Sequence, residues 1–229
     1  MKLLKLIGVL LDYPDDELWL HREELIAAAA DPCLSPQRTA QLTGFVTALM
    51  DADPITMQER WVSLFDRGRA MSLLLFEHIH GESRDRGQAM ADLMQAYQDN
   101  GFVLAVRELP DYLPLVLEYL SLRPLDEARD WLGHTRHIIE LLAARAAERE
   151  SAYALLFELL AEFSGERSNL QTIRRSVAGE ARDDTPQALD RVWEEETVRF
   201  GARAPDVDCA PPDRLPAGVE RVAHKESRA

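Results

Sequence analysis

Apolar residues recur at spacings of three and four along nearly all of the first 165 positions, the repeat of helices with one covered face. β-Branched residues are scattered and no segment alternates convincingly between apolar and polar, so strands are not predicted. The pattern predicts helices over 2–12, 15–30, 36–51, 54–66, 71–80, 83–100, 111–122, 124–149 and 151–164, with a weaker one over 186–200. This is an all-α, single-domain bundle of about nine helices. The punctuation agrees: Asp31-Pro32, Ser35-Pro36, Asp53-Pro54 and Thr185-Pro186 each set a capping side chain before a proline, the arrangement of a helix start. Gly101 and Gly165 stand where a helix stops most easily, in the left-handed region. Leu155, Leu156, Leu159, Leu160 and Phe163 form a broad stripe, which assigns that helix to the centre of the core.

After Gly165 the texture changes to Arg, Asp, Ala, Pro and Ser. Residues 1–165 are therefore read as the helical domain and 166–229 as a polar tail. In that tail 186–200 is a possible helix and the remainder is expected to be disordered, having too little apolar surface to offset chain entropy. The beginning, MKLLKLIGVLLDYPDDELW, imitates a signal peptide, but Asp12 closes the short run Leu6 to Leu11, and a first helix is the better reading. No run approaches the roughly 20 apolar residues that a membrane span needs, so direct membrane insertion is not predicted.

Composition narrows the function classes. Across 229 residues, 46% hydrophobic and 29% charged positions describe an ordinary soluble globular protein. The net charge of −14, with 40 acidic residues against 26 basic, repels nucleic-acid phosphates and anionic lipid and favours a cationic partner. Cys33 and Cys209 form neither a disulfide framework nor a zinc spacing, which fits a reducing cytoplasm. The phosphate-loop, dinucleotide-loop, serine-elbow and zinc-protease motifs are all missing from the sequence. No catalytic residue, resident cofactor or metal is predicted.

Three stretches carry candidate chemistry. In LLLFEHIHGESRDRG, Glu77 and His80 make a Glu-x-x-His pair on one helical face, as in di-iron bundles, but a second such pair is missing. His134 and His137, with Glu140, could add ligands, so a small helical-bundle metalloprotein using Glu77, His80, His134 and His137 is the alternative reading. Against it, His134 shares its stripe with Trp131, Ile138 and Leu141 and reads as a core or boundary histidine. In ELPDYLPLVLEYLS, Pro110 ends an arriving helix and Asp111 is expected to cap the next one, while Glu108, Asp111 and Tyr112 offer a recognition edge. LFDRG, with Leu64, Phe65 and Asp66, ends a helix before a turn at Gly68.

Taken together, LLDYPDDE, WVSLFDRGRAMSLLLFEHIHGESRDRGQAM and ELPDYLPLVLEYLS resemble the delta subunits of respiratory nitrate reductase, the molybdenum-cofactor assembly chaperones of the NarJ type, over about residues 1–165. The resemblance implies the all-helical fold of redox-enzyme maturation chaperones. It implies a non-enzyme that binds the N-terminal peptide of the nitrate reductase catalytic subunit in the cytoplasm. That chaperone holds the apo-enzyme until molybdenum cofactor and an iron–sulfur centre are inserted, and is absent from the finished enzyme. Molybdenum-cofactor biosynthesis proteins are further partners it suggests. The group's acidic-proline motif is matched loosely by Glu108, Pro110, Asp111 and Tyr112, with one extra residue before the proline and tyrosine in place of histidine.

A cationic or amphipathic peptide would be steered by the acidic field and held between helices. The expected groove is lined by Leu64, Phe65, Phe76, Tyr112, Leu113 and Val116 and edged by Asp66, Glu77, Glu108 and Asp111.

Overall fold

The computed structural model describes residues 1–30, 33–80, 84–104, 108–165 and 170–201. Twelve α-helices account for the architecture among these residues. They are α1 (Lys2–Leu11), α2 (Asp16–Leu20), α3 (Arg22–Ala29), α4 (Pro36–Asp51), α5 (Pro54–Phe65), α6 (Leu75–His80), α7 (Arg84–Asp99), α8 (Leu113–Ser121), α9 (Leu125–Glu148), α10 (Ala154–Phe163), α11 (Leu170–Val177) and α12 (Pro186–Gly201). Residues Met1–Asp190 form one compact unit, and a second begins at Arg191. The all-α expectation holds. Residues 202–229, for which disorder was expected, lie outside the described residues.

Local chemistry sets several helix starts. The Ser35 and Asp53 side chains accept from Arg38 N (3.3 Å) and Thr56 N (2.9 Å), each ahead of a proline in the first turn. Thr185 does the same for Ala188 N at 3.2 Å, ahead of Pro186. Asp31-Pro32 lies outside the described residues. Gly101 (φ 71°) and Gly165 (φ 83°) take the left-handed conformation expected of them.

The helix expected over 15–30 breaks in two at His21, which leaves the helical region (φ −102°, ψ 21°). Its ring is bonded to the side chain of Glu24, the third residue of α3, across the start of the new helix, which receives no side-chain cap on its backbone N–H groups. Residues 170–177, assigned to the polar tail, form α11, which packs on α9 and buries Val177.

The core is built around α1, α8, α9 and α10. Leu3, Leu4, Leu6, Ile7, Leu10 and Leu11 give α1 a wide buried face. It lies so close to α8 that a Cβ on Gly8 would sit 3.1 Å from the Pro114 carbonyl oxygen and 3.3 Å from Leu117 Cβ. Beside it, Leu156, Phe157, Leu159 and Leu160 are buried on α10, as its stripe predicts. One ion pair is enclosed with them: Arg136 donates to Glu140 at 2.9 Å and to the Ser164 hydroxyl at 2.7 Å.

Candidate functional site

The two central sequence signatures meet in space. Residues 73–76 and 109–113 run antiparallel with a single bridge between Leu74 and Tyr112. Leu113 N donates to the Leu73 carbonyl oxygen (2.8 Å) and Leu75 N to that of Asp111 (3.1 Å). This pairing is why the helix expected from 71 begins only at Leu75 and the one expected from 111 begins at Leu113.

Asp111 does not cap the helix that follows it. Its carboxylate accepts from Phe76 N at 3.0 Å, so together with its carbonyl oxygen it satisfies two free N–H groups at the start of α6, 35 positions earlier in the chain. α8 has Tyr112 at its N-cap and receives no side-chain cap. The Asp111 side chain is fully buried. Burial pushes its carboxyl above the usual range, opposed by the Phe76 N–H and by nearby Arg86.

Half of the expected groove is interior. Leu113 and Val116 are fully enclosed, and Leu64 and Phe65 are buried, as is Asp111. The Phe65 ring stands edge-on to Tyr153 at 5.2 Å, near Trp61 at 5.4 Å and Phe157 at 6.3 Å. Leu113, Val116 and Asp111 have no exposure and cannot touch a peptide in this state, Phe65 is nearly enclosed, and Leu64 reaches a surface only where it lines the groove between α4, α5 and the turn joining α9 to α10. The apolar face of each helix was identified, but the neighbouring helices cover it.

The accessible remainder is acidic. Asp66 and Glu108 are exposed, and Phe76, Glu77 and Tyr112 are half-buried. Glu77 meets Arg86 at 3.3 Å. The Tyr112 hydroxyl donates to Asp12 Oδ1 at 2.9 Å, drawing the first signature, LLDYPDDE, to the other two. Burial, Asp12 and Glu108 all push the phenol upward, so Tyr112 remains a proton donor at neutral pH. The indole of Trp61 donates to the Leu11 carbonyl oxygen at 2.9 Å and stacks edge-on with Tyr13 at 5.4 Å, fixing the chain that carries Asp12.

From Asp12 a groove of about 640 Å³ runs between α1 and α2–α3. Leu6, Val9, Tyr13, Leu18 and Leu25 line it; Lys2 and Lys5 stand at one end of α1, and Asp12, Asp15 and Glu17 near the other. Sequence reasoning missed this surface. The available signal was Val9, on α1, and Tyr13, just beyond its end, large apolar positions that are 37% and 44% exposed.

Among the described residues the histidines do not assemble a ligand set. His78 Nε2 bonds the Ser72 carbonyl oxygen at 2.8 Å, and burial lowers its pKa. His134, read as a core or boundary residue, is instead exposed beside the Asp130 carbonyl oxygen (2.8 Å), because the buried stripe of α9 follows Leu132, Thr135, Arg136 and Ile139. Glu140, the carboxylate nearest in sequence to His137, is committed to Arg136. The side chain of His80 lies outside the described residues. Among the described residues no three His, Cys, Asp or Glu side chains are grouped to hold a metal, and no helix is long and apolar enough to cross a membrane.

Known proteins resemble the chain over most of its length. The profile of the nitrate reductase delta subunit family matches residues 31–158. Over 200 residues the chain is 50% identical to the nitrate reductase molybdenum cofactor assembly chaperone NarJ of Escherichia coli K12, covering 87% of this chain and 85% of that protein. It is 46% identical over 200 residues to the probable nitrate reductase molybdenum cofactor assembly chaperone NarW of the same strain, covering 84% of it. The corresponding probable chaperone NarJ of Bacillus subtilis is 30% identical over 154 residues, 67% of this chain and 83% of that one. With the match running through both central signatures and across most of each relative's length, the chain belongs to the nitrate reductase delta subunit family.

Proposed function

We propose that this chain is an assembly chaperone of nitrate reductase rather than an enzyme. It binds the N-terminal peptide of the catalytic subunit in the cytoplasm and keeps the apo-enzyme open to insertion of molybdenum cofactor and an iron–sulfur centre. The seat for the peptide is the accessible surface around Tyr112, Glu108, Phe76 and Glu77, with Asp66 as a further acidic edge, extended by the groove of α1, α2 and α3 that begins at Asp12. Support comes above all from one observation: Asp12, Leu74 and Tyr112, one from each of the three signatures, are joined at a single place on an acidic protein.

Physically, an amphipathic helical peptide suits this surface. Val9, Tyr13 and Leu18 offer apolar contact between α1 and α2, while Glu17, Asp12 and Glu108 present charge to basic residues. Holding needs no bond-making: a partner that binds the incomplete enzyme and not the finished one raises the former's population until cofactor insertion competes it away. Proteins that deliver the molybdenum cofactor are the natural second partners of such a complex.

Calorimetry with a synthetic peptide of the catalytic subunit's first residues tests the reading. Glu17→Lys combined with Glu108→Lys reverses two exposed charges and should weaken binding about tenfold at low salt, with a shallower salt dependence. Unchanged affinity and unchanged salt slope would remove the acidic surface from the account.

A further inference from the structure

Residues 178–185, between α11 and α12, hold no large apolar side chain, yet they are fixed at several points. Glu180 receives Nε (2.8 Å) and Nη2 (3.2 Å) of Arg145, whose Nη1 donates to the Ala70 carbonyl oxygen at 3.0 Å. Asp183 accepts from Arg149 Nη2 at 2.8 Å through one oxygen and from the Ala70 backbone N–H at 2.7 Å through the other. Asp184 takes two bonds from Arg182, at 2.9 and 2.6 Å, and lies 3.7 Å from Arg149 Nε. Arg149 Nε and Nη1 are both buried without a hydrogen bond, so the clamp leaves two nitrogens that water could satisfy if the segment lifted.

The loop beneath is shaped to receive this segment. Gly68 has an extended backbone (φ −147°, ψ 154°) that any residue adopts, so conformation does not require glycine there. Space does: a Cβ at this position would lie 2.6 Å from the carboxyl carbon of Asp183. Beyond the loop, Arg182 and Asp184 line a groove of about 440 Å³ that also contains Phe45, Leu49, Met57 and Tyr153.

We propose that residues 178–185 form an electrostatic strap across this groove, which lies between α4, α5 and the turn joining α9 to α10. Closed, the strap gives an apolar recess a charged wall; released, it leaves the recess open to solvent and to binding. Its outer attachments, through Glu180 and Asp183, are ionic and partly exposed, while Arg149 and Asp184 are nearly enclosed; changes in charge or salt therefore act on the outer attachments first, whereas the core helices stay in place. The inference stands apart from the peptide seat at Tyr112 and needs no client.

Hydrogen exchange read by mass spectrometry on the full chain, with binding of the apolar dye anilinonaphthalene sulfonate, tests it through two unlike variants. Asp183→Asn with Asp184→Asn weakens the charge attachment; Gly68→Ala keeps every charge and pushes the Asp183 carboxylate out. Each should speed exchange at 178–185 and at Ala70 about tenfold, as loss of a charge-assisted hydrogen bond implies. Each should also increase dye fluorescence severalfold with helical content and cooperative melting retained. Raising salt should act on the unaltered chain in the same direction. If the double variant melts without cooperativity, Gly68→Ala and the salt series decide. Unchanged exchange in them, or faster exchange without added dye binding, overturns the strap.

Discussion

The assembly of α1, α8, α9 and α10 and the segment 170–185 belong to the same compact unit, but different forces hold them. In the first, leucines, Phe157 and a glycine-permitted close approach remove apolar surface from water. In the second, Val177 is the main buried apolar contact, and Arg145, Arg149 and Arg174 fix the chain through carboxylates. Apolar burial is indifferent to ionic strength and fails all at once. Partly exposed ion pairs are individually weak, screened by salt, and can open locally. One molecule thus combines a cooperative frame with a segment that can detach from it.

The largest effect should come from breaking the frame. Phe157 is fully buried and lies among Phe65 and the leucines of α10. Phe157→Ala removes that contact and leaves a cavity, costing about 3–5 kcal/mol. Urea denaturation should show the same loss at low and high salt. A loss that shrinks with salt would mean that the frame depends on charge as the outer segment does.

The frame was the part most legible in the sequence. Helix periodicity, Ser35-Pro36, Asp53-Pro54, Gly101 and Gly165 each carry their information within a few residues. The outer segment was less so: Leu170, Ile173 and Val177 have helical spacing, but Arg and Ser between them resemble solvated chain, and the acceptors of Arg145 and Arg149 lie 35 and 34 positions away. The candidate site divided along the same line. The three signatures meet in space, and Glu108 and Tyr112 are accessible. Leu113, Val116, Leu64 and Phe65 were assigned to a groove because periodicity reveals an apolar face without revealing what covers it. Asp111 was misread because its partner, Phe76 N, is brought to it by a long-range pairing that no local spacing records.

Asp111 sits where frame and surface join, and a middle-sized effect is expected there. Asp111→Ala leaves the Phe76 N–H without its acceptor and should cost about 1–3 kcal/mol. Asp111→Asn keeps an oxygen for that bond and discriminates by pH. Because burial raises this carboxyl, the folded chain holds the proton more tightly than the unfolded chain. Its contribution to stability therefore falls as pH rises from the ordinary 3.8 through the raised folded value, then levels off. The Asn variant lacks that fall, so its stability relative to the parent should improve with pH across the same window. Denaturation midpoints of both proteins over a pH series measure this. Relative improvement of the variant toward acid would show instead that the Phe76 and Arg86 interactions outweigh burial.

The smallest effect belongs to the outer segment and completes the contrast. Arg145 joins Glu180 to the Ala70 carbonyl oxygen, with the Glu180 side chain 40% exposed. Arg145→Gln should cost about 0–1 kcal/mol in global stability at low salt, since water solvates the freed carboxylate and high salt already screens the pair. Denaturation at two salt concentrations should therefore give curves that separate slightly at the lower and coincide at the higher. Local opening should change more than global stability: exchange at 178–185 should respond while amides in α8 and α10 keep their protection. If those core amides accelerate equally, the segment unfolds only with the frame, and the division between apolar cohesion and ionic attachment does not describe this molecule.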